Sequence, residues 1–328
     1  MTNDPAPSTL DAYCHWLAEA GLDAPWARPG PLIHSKASRV QPFHWRWTDI
    51  EPRLRASPQF VPKENAAERR ILRLANPGMP DRTSSHTVSA AIGYLLQGET
   101  TSSARRHTPN TLRFMLNGRG AYSVVDGHRF AMAPGDLVVT PSLTWHEYGN
   151  EGTEPVVWLD GLDAPILRYL EILTMEPEEE SVAAQRAAKR VPRTVYYKWD
   201  EAYSRLLQQA ETAASPYDDI IVEYKDPISG ASVLPTIGCY LQMIRRGIAT
   251  HAHSQTSTAV YHVVRGSGAT TLGDVRYEWD AGDLFVVPPN LPHHHAHRGS
   301  DPAILFSMQD VPLLEALGLY VESTVASS

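Results

Sequence analysis

The feature that most limits what this chain can become is a repeat of itself. "TLRFMLNGRGAYS", from Thr111, lies over "AVYHVVRGSGATT", from Ala259, with Gly118 and Gly120 falling on Gly266 and Gly268. "APGDLVVTPSLTWHEY", from Ala133, lies over "DAGDLFVVPPNLPHHH", from Asp280, so that Gly135-Asp136-Leu137 falls on Gly282-Asp283-Leu284. The two copies stand about 147 residues apart and keep one order: short β-type runs, a G-x-G turn, a G-D turn, then a strand carrying histidine. Short strands at regular spacing with Gly-rich turns predict a small β-barrel or sandwich, here made twice.

Around the copies the pattern changes. "STLDAYCHWLAEAG" predicts a short amphipathic helix capped by Ser8 or Thr9 and stopped at Gly21. "LRYLEILTMEPEEESVAAQRAAKR" and "WDEAYSRLLQQAETAA" read as polar helix or loop, with Glu178 to Glu180 as a solvated face. The expected division is a helical and irregular arm over 1–75, a first barrel over 76–165, a linker with helices over 166–234 and a second barrel over 235–328. The fold class is mainly all-β.

Composition narrows the function classes. The chain has 328 residues, 42% hydrophobic and 20% charged, which is ordinary for a globular protein with room for two compact domains, each with its own core. A net charge of -8 argues against nucleic acid as a partner, because phosphate binding needs a basic face. No apolar run approaches the roughly 20 residues that span a bilayer, and the N-terminus lacks a basic region followed by an apolar core. Cys14 and Cys239 are far apart and form no CxxC, so a reducing cytoplasm is the expected setting and no membrane partner is expected.

The histidines carry the chemistry. Four of them, at 293, 294, 295 and 297, crowd into "PHHHAHR", and His251 and His253 stand at i and i+2 in "THAHS". On a strand such a pair points to one face, so both rings can enter a barrel and meet His293 from a later strand. Three neutral imidazoles suit a divalent transition metal and leave positions open for other ligands. The blander alternatives are an exposed strand pair and an adventitious metal-binding surface.

An HxH, a G-D turn and a histidine behind a proline resemble the two motifs of the cupins. The chain from about residue 68 to 320 is similar to the bicupin gentisate, salicylate and hydroxynaphthoate ring-cleaving dioxygenases, through "RRILRLANPG", "HTPNTLRFMLNGRGAYSVVDG", "GDLVVTPSLTWHEYGN", "WLDGLDAP" and "LFSMQDVPLLEALGLY". The resemblance implies two tandem cupin barrels, Fe(II), a small aromatic carboxylic acid and O2 as reactants, and a homotetramer. It implies iron in the first barrel on an H-x-H and a later histidine, but here "ARRHT" puts Arg105 at the first of these positions, with His107 and His146 at the others. Arginine is always charged and is no ordinary ligand. Tyr148 stands where the family has a further histidine, and Ser89 and Gly93 where it has a pocket tryptophan and glutamine.

The second barrel matches more fully, with His251, His253 and His293 as ligands, His295 as the residue that moves a proton, and Gln242 at the glutamine position. One iron per chain is therefore expected in the C-terminal barrel, with a site of His107, His146 and Arg105 in the first barrel as the alternative. Arg69 and Arg113 match the arginines that the resemblance assigns to the substrate carboxylate. Tyr261 stands in place of Arg113 in the second barrel, where Arg245 or Arg246 would have to serve. The expected reaction inserts O2 between the carboxyl-bearing and hydroxyl-bearing carbons of a salicylate- or gentisate-like acid, such as a 5-substituted salicylate. An oxygen-independent cupin isomerase or decarboxylase and a ligand-binding bicupin without turnover are the rivals.

Overall fold

Short runs rich in β-branched, aliphatic and aromatic residues, bounded by Gly-rich turns, make strands, and the strands pair into four sheets, two per copy. The computed structural model describes residues 7–29, 38–61, 70–101, 103–177 and 195–324; Arg69 and the run Glu178 to Glu180 lie outside them. Met1–Ser38 and Arg39–Ser328 are separate compact units. In the first unit the predicted helix spans Leu10–Glu19, Thr9 caps it by accepting from the Ala12 amide, and Gly21 follows at positive φ.

The second unit opens with β1 (Phe43–Trp45) and a helix over Trp47–Ala56. The first barrel follows with β2 (Ile71–Arg73), β3 (Ser89–Leu95), β4 (Arg105–His107), β5 (Thr111–Asn117), β6 (Ala121–Val125), β7 (His128–Ala131), β8 (Leu137–Thr140), β9 (His146–Asn150), β10 (Val156–Leu162), β11 (Met175–Pro177) and β12 (Tyr196–Tyr197). After a helix over Trp199–Thr212 the second barrel runs through β13 (Ile220–Tyr224), β14 (Gly238–Ile244), β15 (His253–Gln255), β16 (Ala259–Arg265), β17 (Ser267–Leu272), β18 (Val275–Asp280), β19 (Leu284–Val287), β20 (His293–Arg298), β21 (Ala303–Gln309) and β22 (Glu322–Thr324). The first barrel pairs the sheets β12-β8-β5-β10-β3-β2 and β11-β4-β9-β6-β7; the second pairs β1-β19-β16-β21-β14-β13 and β18-β17-β20-β15-β22. The fold is mainly β, as the repeat predicts.

Segments expected as arm and linker supply the outer strands of both barrels. β1 precedes the first barrel in sequence yet pairs with β19 of the second, and β12 pairs with β8 of the first. Both are fastened by the same device at the G-D turn. Gly135 and Gly282 hold φ near +90° and +96°, and a Cβ there would strike the rings of Trp199 and Trp47. The next residue, Asp136 or Asp283, accepts from the backbone amide of that tryptophan at 2.9 and 2.8 Å. Each tryptophan begins a helix, so each turn anchors one strand–helix unit.

The barrels share a core. Phe114 of β5 stacks on Phe306 of β21 with centroids 4.1 Å apart, and one buried cluster runs from Ile92 and Val139 through to Ile237 and Val286. Reciprocal carboxylates sit at the ends of β10 and β21. Asp163 accepts from the Asn110 amide and the Thr236 hydroxyl, while Asp310 accepts from the Thr258 amide and the Thr87 hydroxyl. Thr236 and Thr87 come from opposite copies, so the contact is related by a quasi-two-fold axis. A smaller apolar cluster of Tyr261, Trp279, Phe285 and Leu305 with their neighbours lies in the second copy. Among the described residues no helix is long and apolar enough to cross a membrane.

Candidate active site

In the first barrel β4 carries Arg105 and His107 on one face, and β9 brings His146 opposite Arg105 in the strand register. The His107 and His146 rings stand 4.6 Å apart at 71°. His107 Nδ1 donates to the Pro109 carbonyl at 2.9 Å and His146 Nδ1 to the Thr144 carbonyl at 3.0 Å. A carbonyl only accepts, so each neutral ring has its hydrogen on Nδ1 and its Nε2 lone pair for a ligand. Burial lowers the pKa of His107, with the Arg105 charge adding to the effect. Burial, then the neighbouring His107, pushes His146 down to about 3. Both rings are neutral at pH 7, the form that binds metal.

These histidines line a cavity of about 210 Å³ with Arg105, Arg113, Tyr148 and Thr111, walled by Ile71, Val138, Leu162 and Met175. It is small beside the roughly 300–1,000 Å³ of pockets for larger ligands. Arg105 Nη2 donates to the Tyr148 hydroxyl at 2.7 Å. Arg113 is held bidentately by Asp160 at 2.9 and 3.1 Å, stacks 3.7 Å over the Tyr148 ring, and shares Asp160 with the Trp158 indole. Trp158 faces Gly93 across the sheet, and a Cβ at Gly93 would meet its ring at 2.2 Å. That close approach accounts for glycine at the position where the resemblance implies glutamine.

The second barrel brings together part of its expected set. His253 and His293 are directly paired between β15 and β20, with their Nε2 atoms 3.1 Å apart. His251 precedes β15, is exposed, and has its ring 6.1 Å from that of Tyr217. The ligand atoms of Asp218, His253 and Glu322 all lie within 4.8 Å of one another, whereas among the described residues His293 joins no such group, either with His251 and His253 or with Asp218 and His253. His295 is fully buried, its ring 5.9 Å from that of His293, with Nδ1 2.8 Å from the Thr270 hydroxyl and Nε2 without a partner. Gln242 is buried and donates to the Asp218 carbonyl, and Tyr261 stacks on Phe285. Arg245 is bound to Asp219. Reading the sequence alone quoted Trp158 and Asp160 within "WLDGLDAP" without giving either a role, and missed Asp218 and Glu322, isolated acids that carry no motif.

The two histidine-bearing regions fall in matches to the cupin domain family over residues 94–161 and 243–309. The 5-aminosalicylate 1,2-dioxygenase of Comamonas sp. is 34% identical over 99% of this chain and 92% of its own length. The chain belongs to the bicupin family of gentisate, salicylate and hydroxynaphthoate dioxygenases. Within that family the 1-hydroxy-2-naphthoate 1,2-dioxygenase of Nocardioides sp. is 32% identical, covering 97% of this chain and 89% of the relative. The crystal structure of a salicylate 1,2-dioxygenase from Pseudaminobacter salicylatoxidans superposes with a TM-score of 0.84 at 28% identity, covering 98% of this chain and 99% of that one. The same dioxygenase has been solved with gentisate adducts and superposes with a TM-score of 0.85 at 27% identity, covering 99% of this chain and 97% of that one.

Proposed function

We propose that this protein is an Fe(II)-dependent dioxygenase that opens the ring of a salicylate- or gentisate-type acid, with the first barrel as its active site. The observation that carries this is the cavity itself, which gathers two neutral imidazoles and the Arg105 cation within apolar walls. The relatives' substrates, 5-aminosalicylate, salicylate and gentisate, support a single-ring acid bearing a carboxylate and a hydroxyl. The donor chemistry fits the metal: two Nε2 lone pairs face the cavity, and substrate oxygens can complete the ligand set. His107 and His146 would hold the iron, which when bound supplies an electron path between ring and O2.

The remaining work falls to the protein. Arg105 receives the substrate carboxylate, a task its planar, permanently charged group suits. The Tyr148 hydroxyl, which accepts from Arg105, fixes the guanidinium at that end of the cavity. Arg113, matched by Asp160, stacks over the Tyr148 ring and holds it in place. Ile71, Val138, Leu162 and Met175 keep water from the ring, which strengthens the ion pair inside. Bond cleavage falls between the carboxyl-bearing and hydroxyl-bearing carbons.

The second barrel is the alternative seat of the working iron, with His251, His253 and His293 as ligands and His295 moving the proton. The 3.1 Å approach of His253 and His293 favours it. Its electrostatics do not: the hollow beside this pair is lined by Asp218, Glu223 and Glu322, which repel an anionic substrate. A cytoplasmic homotetramer with one working iron per chain completes the proposal, and two free cysteines agree with a reducing compartment.

Oxygen uptake by anaerobically Fe(II)-loaded protein tests the function, on gentisate, salicylate, 5-aminosalicylate and 1-hydroxy-2-naphthoate. One O2 consumed per acid lost, with a new ring-opened chromophore on a single-ring substrate, is expected. Iron-loaded protein that consumes no oxygen across the panel would overturn it in favour of oxygen-independent chemistry or binding alone.

A further inference from the structure

The second barrel contains an imidazole pair that the first-barrel chemistry leaves without a task. His253 Nδ1 lies 2.7 Å from Glu322 Oε1, and His293 Nδ1 lies 3.2 Å from the Leu291 carbonyl oxygen. Both partners only accept, so in each neutral ring the hydrogen is on Nδ1. The two Nε2 lone pairs then face each other across 3.1 Å in a buried site, which is repulsive without a positive charge between them. Two imidazoles at right angles on one ion, at a metal–nitrogen distance of about 2.0–2.1 Å, would hold their nitrogens about 3 Å apart.

A carboxylate stands beside the His253 end of this pair. Asp218 Oδ1 is 3.9 Å from His253 Nε2, on the turn that leads into β13. That turn is fixed over the barrel mouth by Gln242, which donates to the Asp218 carbonyl, and by Tyr217, whose ring lies flat on His253 at 5.4 Å and 9°. Glu322 on β22 binds the far nitrogen of His253, the position from which a carboxylate orients a metal-bound histidine. His295, two residues along β20 from His293, has a buried Nε2 with no hydrogen-bond partner.

We propose that His253, His293 and Asp218 form a second metal site, a two-histidine, one-carboxylate set for a divalent transition ion, with Glu322 positioning His253. Asp218 takes the place expected for His251, which stands exposed beside Tyr217. The ion ties the 215–219 turn and the C-terminal strand β22 to the barrel, so its first effect is on stability. The site does not rest on the aromatic-acid chemistry of the first barrel.

Cobalt(II) is the probe, added anaerobically to metal-free full-length protein, with bound metal counted by elemental analysis and its visible absorption recorded. With both barrels loaded, wild type holds two equivalents per chain and D218N holds one. H107A/H146A also retains one, and adding H253A to it removes the last. H251A keeps two, and metal raises the thermal midpoint of wild type more than that of D218N. If the double variant fails to fold, the difference between D218N and H251A decides alone. D218N binding as much cobalt as wild type, or H251A losing as much as H253A, would overturn the site. One equivalent in wild type, unaffected by H107A/H146A and lost in D218N, would keep this site and sink the first-barrel iron instead. No cobalt lost on H253A would mean that the two rings share a proton rather than a metal.

Discussion

At the scale of single residues, Arg105 of the first barrel stands where the second has His251. β4 begins at Arg105, so Arg105 and His107 share a face and both reach the cavity; β15 begins only at His253, so His251 lies before the strand and escapes that rule. Arg105 puts a fixed cation at the position where the resemblance implies a metal ligand, in the cavity proposed for an anionic substrate. Arg105→Met should raise the KM for the aromatic acid roughly ten- to hundredfold, the worth of one charge-assisted hydrogen bond, while leaving bound iron in place. Steady-state kinetics with metal analysis reads both, and an unchanged KM would remove Arg105 from substrate binding. The histidines themselves were legible in the sequence, because HxH and a histidine after the G-D turn are local patterns. The first-barrel anchors are local too, the carbonyls of Pro109 and Thr144 standing two residues from their rings, but the carboxylate of Glu322 is 69 residues from His253 and only the fold brings it there. Counting ligands along the chain points to the second barrel; the proposal for the first rests on the cavity and its cation.

At the scale of elements, the repeat was readable where it repeats in strands and hidden where it repeats in docking. The paired G-x-G and G-D turns stand out in the sequence. The correspondence of "HWRWT" with "YYKWD" does not, because one lies before the first barrel and the other before the second. In the structure Trp47 and Trp199 do the same job, each seated on the G-D glycine and donating its amide to the G-D aspartate. The first of these units serves the second barrel, an out-of-order pairing that no local pattern encodes. Asp283 accepts from the Trp47 amide, the Asp280 amide and His44 Nε2 at 2.8, 3.1 and 2.9 Å. Asp283→Ala leaves these donors unmatched and should cost about 2–4 kcal/mol in urea unfolding. It should also expose the Trp47–Ala56 helix to early proteolysis; a loss under 1 kcal/mol would mean that the sheet pairing of β1 alone holds the unit.

At the scale of the molecule, the two copies lie within one compact unit, where Phe114, Phe306 and the reciprocal Asp163 and Asp310 join them. His262 lies in this shared region, its Nδ1 without a partner and its ring 6.2 Å from Phe114. Burial pushes its pKa down to about 4, below the roughly 6.5 of an unfolded histidine. Because the folded pKa is the lower one, the unfolded chain takes up the proton first as pH falls. Stability is therefore full above about pH 6.5 and declines toward pH 4, by about 2–3 kcal/mol at pH 4.5 from this residue alone. Denaturant midpoints at pH 7 and 4.5 should show that decline in wild type and a shallower one in His262→Leu; equal slopes would place the acid sensitivity elsewhere. The claim on which the rest depends is that the first barrel performs the oxygen chemistry. It is tested most directly by oxygen consumption in iron-loaded His146→Ala and His253→Ala, on the acid that wild type turns over fastest. The prediction is that His146→Ala is inactive while His253→Ala keeps kcat within a few-fold of wild type. Turnover surviving in His146→Ala and vanishing in a folded His253→Ala would contradict it and move the working metal to the second barrel.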